Sequence, residues 1–200
     1  MNMMMEQAGF SRAIALIDAA NSEDPRREGG EPKELLYAKR MTEMLARFAP
    51  EASDAVRLAV RAQHVRRWMV PRDSYPMTRE GYHAWRTGLY KFHAETAGAL
   101  LREAGYDEET VAQVMLAVSK RSLRSNPDAQ LLEDVAALVF IEYYMLDFAA
   151  SKPDYDEAKW IGIVQKTWRK MSEAAQQFAL GGGIRLPEAL IPVIQRAIAA

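Results

Sequence analysis

Apolar residues recur every three or four positions along almost the whole chain, and no stretch alternates β-branched and polar residues between turns. That pattern excludes a sheet-based core and predicts an all-α fold of about eight helices. Ser11 is positioned to cap a first helix whose stripe is Phe10, Ala13, Ile14 and Ile17 and which ends near Asn21. The polar, Gly- and Pro-containing SEDPRREGGEP reads as a loop. Pro32 opens a second helix with Leu36, Met41, Met44, Leu45 and Phe48 inward. A third is predicted over 52–69 along Val56, Val60, His64 and Arg67.

The connection VPRDSYPM is stiffened by two prolines, and a long helix follows from Thr78 to about Ala104, stopped by Gly105. Asp107 starts a fifth helix, and Asn126-Pro127 starts a sixth that runs to about Ala150. A seventh passes through Trp160 and Trp168 to Met171, Gly181 to Gly183 break the chain, and Pro187 begins a short last helix. We expect one domain over 1–200, its core at about 10–180 and the last helix at 187–199. There is no internal repeat and no low-complexity segment.

Charge is distributed unevenly. The chain carries a net charge of −1, yet between Arg57 and Lys91 eight Lys or Arg face two acids. All three histidines, His64, His83 and His93, fall in or beside that stretch, together with several aromatic rings. Cations, imidazoles and rings in one segment suit an anionic small molecule. A pI near 6.3 argues against nucleic acid as the partner, which a basic domain would bind. No apolar run is long enough to cross a bilayer, so no membrane partner is expected. The absence of cysteine removes disulfides, thiolate chemistry and Cys-ligated metals, and makes a reducing cytoplasm the expected location. A homodimer is the protein partner to consider.

A step of 100° per residue puts His64 and Arg67 on the apolar stripe of their helix. On the next helix Tyr82, Arg86, Leu89 and His93 form one line. On the sixth, Asp134 sits among Leu131, Val135 and Leu138, with Glu133 to one side. A buried carboxylate is costly unless paired or coordinated. An inward histidine taken singly is the ordinary hydrogen-bonded core residue, and an inward Asp beside an inward Arg an ordinary ion pair. Their coincidence on three helices is what points to a pocket. In it His64, His93, Asp134 and Glu133 are the candidates for acid–base work. Arg67, Arg72, Tyr75, Tyr82, Arg86 and Lys120 are the candidates for holding the anion. The segment 70–78 would form a fixed rim, with Arg72 and Tyr75 turned toward the ligand.

The strings AIALIDAAN, PKELLYAKRMTEML, RAQHVRRWMVPRDSYPMTREGYHAWR, FHAETAG, LLEDVAALVFIEYY and KTWRKMS strongly resemble a widespread family catalogued as a domain of unknown function. The resemblance runs from about Phe10 to Leu190. A weaker one is to the HD superfamily of metal-dependent phosphohydrolases. DAVRLAVRAQHV resembles the helix carrying their His-Asp pair, with His64 at the histidine. FHAETAG is similar to the segment opening with a further metal histidine, here His93, and LLEDVAALVF to the late helix, with Asp134 as the final ligand. The resemblance implies a divalent metal on His64, His93 and Asp134. Val65 stands where the pair's aspartate belongs and cannot coordinate; Lys120 stands near a histidine of some relatives, and only Tyr37 or Arg40 lies near the first histidine's place. The implied function is a diverged HD-like hydrolase or lyase acting on a phosphorylated or nucleotide-like anion. The alternative is a ligand-sensing or protein-interaction module that keeps the pocket without the metal.

Overall fold

The computed structural model describes residues 2–121, 123 and 125–199, with ten α-helices among them. Helix α1 (Asn2–Ser22) is followed by a two-residue antiparallel pairing of β1 (Arg27–Glu28) with β2 (Glu31–Pro32). The segment expected as a plain loop closes this hairpin because Gly29 and Gly30 supply positive φ angles of 59° and 87°, the requirement of its two-residue turn. Helix α2 (Lys33–Phe48) starts directly after Pro32. Ser11 is not a cap: α1 begins earlier and passes through it.

Helix α3 (Asp54–Ala62) is shorter than its periodicity predicts. The chain leaves the helix after Ala62, and Arg66 takes a left-handed conformation at φ 53° while its N–H donates to Asn21 Oδ1 at 3.1 Å. Two single turns of 3₁₀ helix, Arg67–Met69 and Arg72–Ser74, then lead to α4 (Arg79–Ala104). Thr78 caps α4 at one end and Gly105, at φ 94°, ends it as expected. Gly81 is required there, since a Cβ would lie 2.0 Å from the Pro76 carbonyl oxygen.

Helix α5 (Glu108–Val118) folds back on α4 and packs on α3. The predicted sixth helix is α6 (Pro127–Val139), a π-helical turn over Phe140–Tyr144, and α7 (Met145–Ala150). Helices α8 (Glu157–Trp168), α9 (Glu173–Phe178) and α10 (Ile191–Ala199) complete the chain. One continuous apolar core joins Ile17, Met41, Met44, Leu58, Leu101, Val114, Leu132 and Leu138, with Ile194 of α10 at its margin. Burying each of these large side chains contributes roughly 1.5–3 kcal/mol. No helix among the described residues is long and apolar enough to cross a membrane.

Candidate functional site

A cleft opens where the start of α2, the turn after α3, the first half of α4, the α6 C-terminus and α8 meet. Its inner compartment, about 470 Å³, is lined by Gln63, His64, Arg67, Tyr82, Trp85, Arg86, Leu89, Tyr90, His93 and Lys120, with Phe140 and Phe148 closing one side. It continues into an outer compartment of about 870 Å³ that adds Lys33, Glu34, Tyr37, Glu133, the end of α8 at Ile163, Lys166 and Thr167, and Arg169 and Lys170 just past it. Both volumes are within the range of small-molecule sites.

His64 lies in the turn beyond α3, not on the helix. Its ring stacks on Tyr37 at a centroid distance of 4.2 Å and 14° between planes. Its Nδ1 edge faces the buried Glu34 at 3.5 Å. Tyr37 in turn donates to Gln63 Oε1 at 2.8 Å. Glu34 also accepts from Arg26 at 2.7 Å, and its own N–H donates to the buried Asp24. Burial pushes the Glu34 carboxyl up against the opposing pull of Arg67 and Arg26. Burial and then the neighbouring Arg67 hold His64 well below the ordinary imidazole value.

His93 is the second imidazole, 5.5 Å from His64 between centroids and 2% exposed. Burial and then His64 keep its pKa well below 6.5. Its Nε2 has no hydrogen-bond partner among the described residues. A buried polar atom in that condition costs roughly 1–3 kcal/mol, so it calls for a ligand or water. Both rings are neutral near pH 7.

The cations differ in their engagements. Arg86 Nε donates to the Tyr90 hydroxyl at 2.6 Å and its Nη1 to Tyr82 at 3.1 Å, and it makes no ion pair among the described residues. Arg67 lies 4.9 Å over the Trp85 ring and makes no ion pair among the described residues. Lys120, like Arg66, is a non-glycine residue at positive φ, 53°. That strained turn directs its ammonium onto Glu133, which Lys170 also approaches at 3.6 Å. Burial, the largest single influence, pushes Glu133 up, but Lys120, Lys170 and Arg86 together outweigh it and the carboxyl sits below its usual range.

The structure therefore brings His64, His93, Glu133, Arg67, Tyr82, Arg86 and Lys120 to one cleft. Three expected residues are placed elsewhere. Asp134, 2% exposed, accepts the Ser172 backbone N–H at 2.7 Å, the Ser172 hydroxyl at 2.6 Å and the Gln130 amide at 2.9 Å. It anchors the start of α9; a period of 3.6 turns two neighbouring side chains to different neighbours, and Glu133 took the cleft. Arg72 spends its guanidinium on the carbonyls of Tyr75, Pro76 and Thr78. Tyr75 packs on Gly88, whose Cβ would come within 2.8 Å of its hydroxyl. Both stitch the rim to α4 and leave the cleft lining to others. Of the expected ligand set His64, His93 and Asp134, only the two histidines line the cleft, and among the described residues no three His, Asp or Glu side chains form a coordinating group.

Sequence reading missed Glu34, Gln63, Trp85, Tyr90 and the α8 cations. Trp85 and Tyr90 flank the Tyr82–His93 line by one helical step, a signal that a wider stripe would have captured. Glu34 and α8 carried none, since charges at helix starts and on amphipathic faces are usually solvated.

An all-α domain with a cationic, aromatic-walled cleft and two neutral imidazoles is the class that fold and site define. The chain belongs to the family described as Domain of unknown function (DUF4202), whose model matches residues 11–194. No curated protein and no solved structure matches it.

Proposed function

We propose that the cleft binds a phosphorylated or nucleotide-like small anion and that the protein is a hydrolase or lyase acting on it, on a diverged scaffold of HD type. One observation carries the reading: among the described residues Arg67 and Arg86 enter the cleft without a contact ion pair, Glu34 acting on Arg67 only from farther off, beside a buried His93 whose Nε2 is unpartnered. Paired guanidinium forks suit a phosphate group, and unpaired cations half-buried in a fold are costly unless a ligand compensates them. The two tyrosine hydroxyls on Arg86 orient it without neutralising it. Glu34 lies on the Nδ1 edge of His64, which leaves Nε2 to take a proton from water or from a substrate carbon acid. His93 Nε2 is the second proton site. Glu133 holds Lys120 beside the anion. The cysteine-free composition agrees with a cytoplasmic setting.

A second reading, a sensing module that keeps the cleft without a metal, is favoured by the donor arrangement, because Asp134 is committed to Ser172. Calorimetric titration of untagged protein with inorganic phosphate and AMP, followed by assay for phosphate release, tests both. The expected result is binding that Arg86→Ala weakens about 10- to 100-fold, as loss of a charge-assisted hydrogen bond does. Turnover with binding selects the enzyme, binding without turnover selects the module, and no binding by the folded wild-type protein ends both.

A further inference from the structure

The cleft holds more positive charge than one phosphate can use. Seven Lys and Arg side chains line its two compartments against two carboxylates, Glu34 and Glu133, an excess of five in a chain whose net charge is −1. A phosphate monoester brings roughly −1.5 to −2 at pH 7. The cations also divide in space. Arg67 and Arg86 belong to the inner compartment, whereas Lys33, Lys166 and Arg169 line only the outer one. None of these five makes an ion pair among the described residues, although the same surface pairs Arg47, Arg102 and Lys39 with carboxylates. The two groups belong to one cleft, since His64, Arg67, Arg86 and Lys120 line both compartments. At the inner end lies the unpartnered Nε2 of His93, itself 2% exposed, a buried polar atom that a ligand or a water would satisfy.

We infer that the ligand is a small molecule bearing two or more phosphate groups spaced along the cleft, a nucleoside polyphosphate or a condensed phosphate. One phosphate meets Arg67 and Arg86, and the next reaches the α8 cations. The inference rests on the anion reading above and makes it narrower.

Titration at fixed ionic strength, with a chelator present, separates the two. Inorganic phosphate, pyrophosphate, tripolyphosphate and ADP are the probes. We expect pyrophosphate and tripolyphosphate to bind at least tenfold tighter than phosphate. The double variant Lys166→Ala/Arg169→Ala should cost tripolyphosphate about tenfold and leave phosphate within twofold. Arg86→Ala should weaken every probe, and Lys152→Ala, outside the cleft, none. Circular-dichroism melting of each variant confirms that it folds. ADP tighter than pyrophosphate, or the reverse, tells the two sources apart, and either must exceed phosphate. If phosphate binds in an Arg86-dependent way but the longer probes bind no tighter, the inference is wrong and the single-anion reading stands. If Lys152→Ala weakens tripolyphosphate as much as the α8 double variant, general charge attraction is responsible and the inference is wrong. If no probe binds, both readings fail.

Discussion

Arg61 and Arg67 stand six residues apart and meet opposite fates. Arg61, on the last turn of α3, points into the helical core, where Asp18 takes its Nε and Nη2 at 2.7 Å each and Thr42 takes Nη1 at 3.1 Å. Arg67, just past the break in that helix, enters the cleft and lies on Trp85 with no contact ion pair among the described residues. The same contrast recurs on α6, where Asp134 is saturated by Ser172 and Gln130 while Glu133 opens onto the cleft with two lysines. Within the core a buried charge is matched by the chain itself. In the cleft Arg67 and Arg86, less buried than Arg61, have no contact ion pair among the described residues, a match that the proposed anion would supply.

The contrast breaks most visibly by removing the partner of Arg61. Asp18→Ala leaves a guanidinium in the core with only Thr42 and the Ala38 carbonyl to accept from it and no carboxylate opposite. The expected loss is about 3 kcal/mol, at the low end for a broken buried pair because Asp18 is itself partly exposed. For a chain of this length that lowers the melting temperature by roughly 6–12 °C. Arg67→Ala should do the reverse, leaving stability within about 1 kcal/mol while removing anion binding, since unpaired charge at a binding site is held at a cost to the fold. Equal destabilisation by the two variants would show that Arg67 is a core ion-pair residue after all.

A smaller effect sharpens the pair on α6. Asp134→Asn loses the charge that receives the Ser172 N–H and hydroxyl, which costs about 1–2 kcal/mol and a few degrees of melting temperature. Its phosphate affinity should stay within twofold of wild type. Glu133→Gln removes the negative charge between Lys120 and Lys170, so anion binding should tighten several-fold. Titration of the two variants side by side decides it. Tighter binding by Asp134→Asn, with Glu133→Gln unchanged, would reverse the assignment.

How far the sequence led depends on what kind of information each residue carried. Helix order, the caps at Thr78, Asp107 and Asn126 and the Gly105 stop were legible, because each is a local interaction between neighbours in the chain. The line Tyr82–Arg86–Leu89–His93 was legible for the same reason: one helix carries it whole, and all four residues line the cleft. The break after Ala62 was not. Nothing in RAQHVRRWM forbids a helix, and what ends it is the hydrogen bond from Arg66 to Asn21, forty-five residues away in sequence. Asp134 was misplaced because periodicity gives the buried face of a helix but not which element covers each residue on it. Glu34, Lys166 and Arg169 were invisible for a related reason, since only the packing of α2 and α8 around the cleft makes them part of it.

The smallest expected effect is on pH dependence, and it contrasts the two histidines with the carboxylate beside them. Both imidazoles have folded pKa values depressed well below 6.5, burial being the first cause in each. The unfolded chain then binds protons that the folded chain refuses, so stability contributed by these groups is present above about pH 6.5 and lost as the pH falls below it. Glu34 acts in the opposite sense: its folded value is raised above 4.5, the folded chain holds the proton longer, and its contribution weakens as the pH rises through that raised range. Melting curves of the wild-type protein between pH 7.5 and 5.5 should therefore fall, and those of His64→Gln/His93→Gln should fall less. Saturating phosphate should flatten the wild-type slope as well, because an anion against the rings favours their charged form and reverses the depression. The double variant, which loses both inner imidazoles and keeps only His83 in the outer compartment, should show much less flattening. Parallel slopes for the two proteins, with and without phosphate, would mean that His64 and His93 titrate as ordinary solvated side chains and that no anion sits beside them.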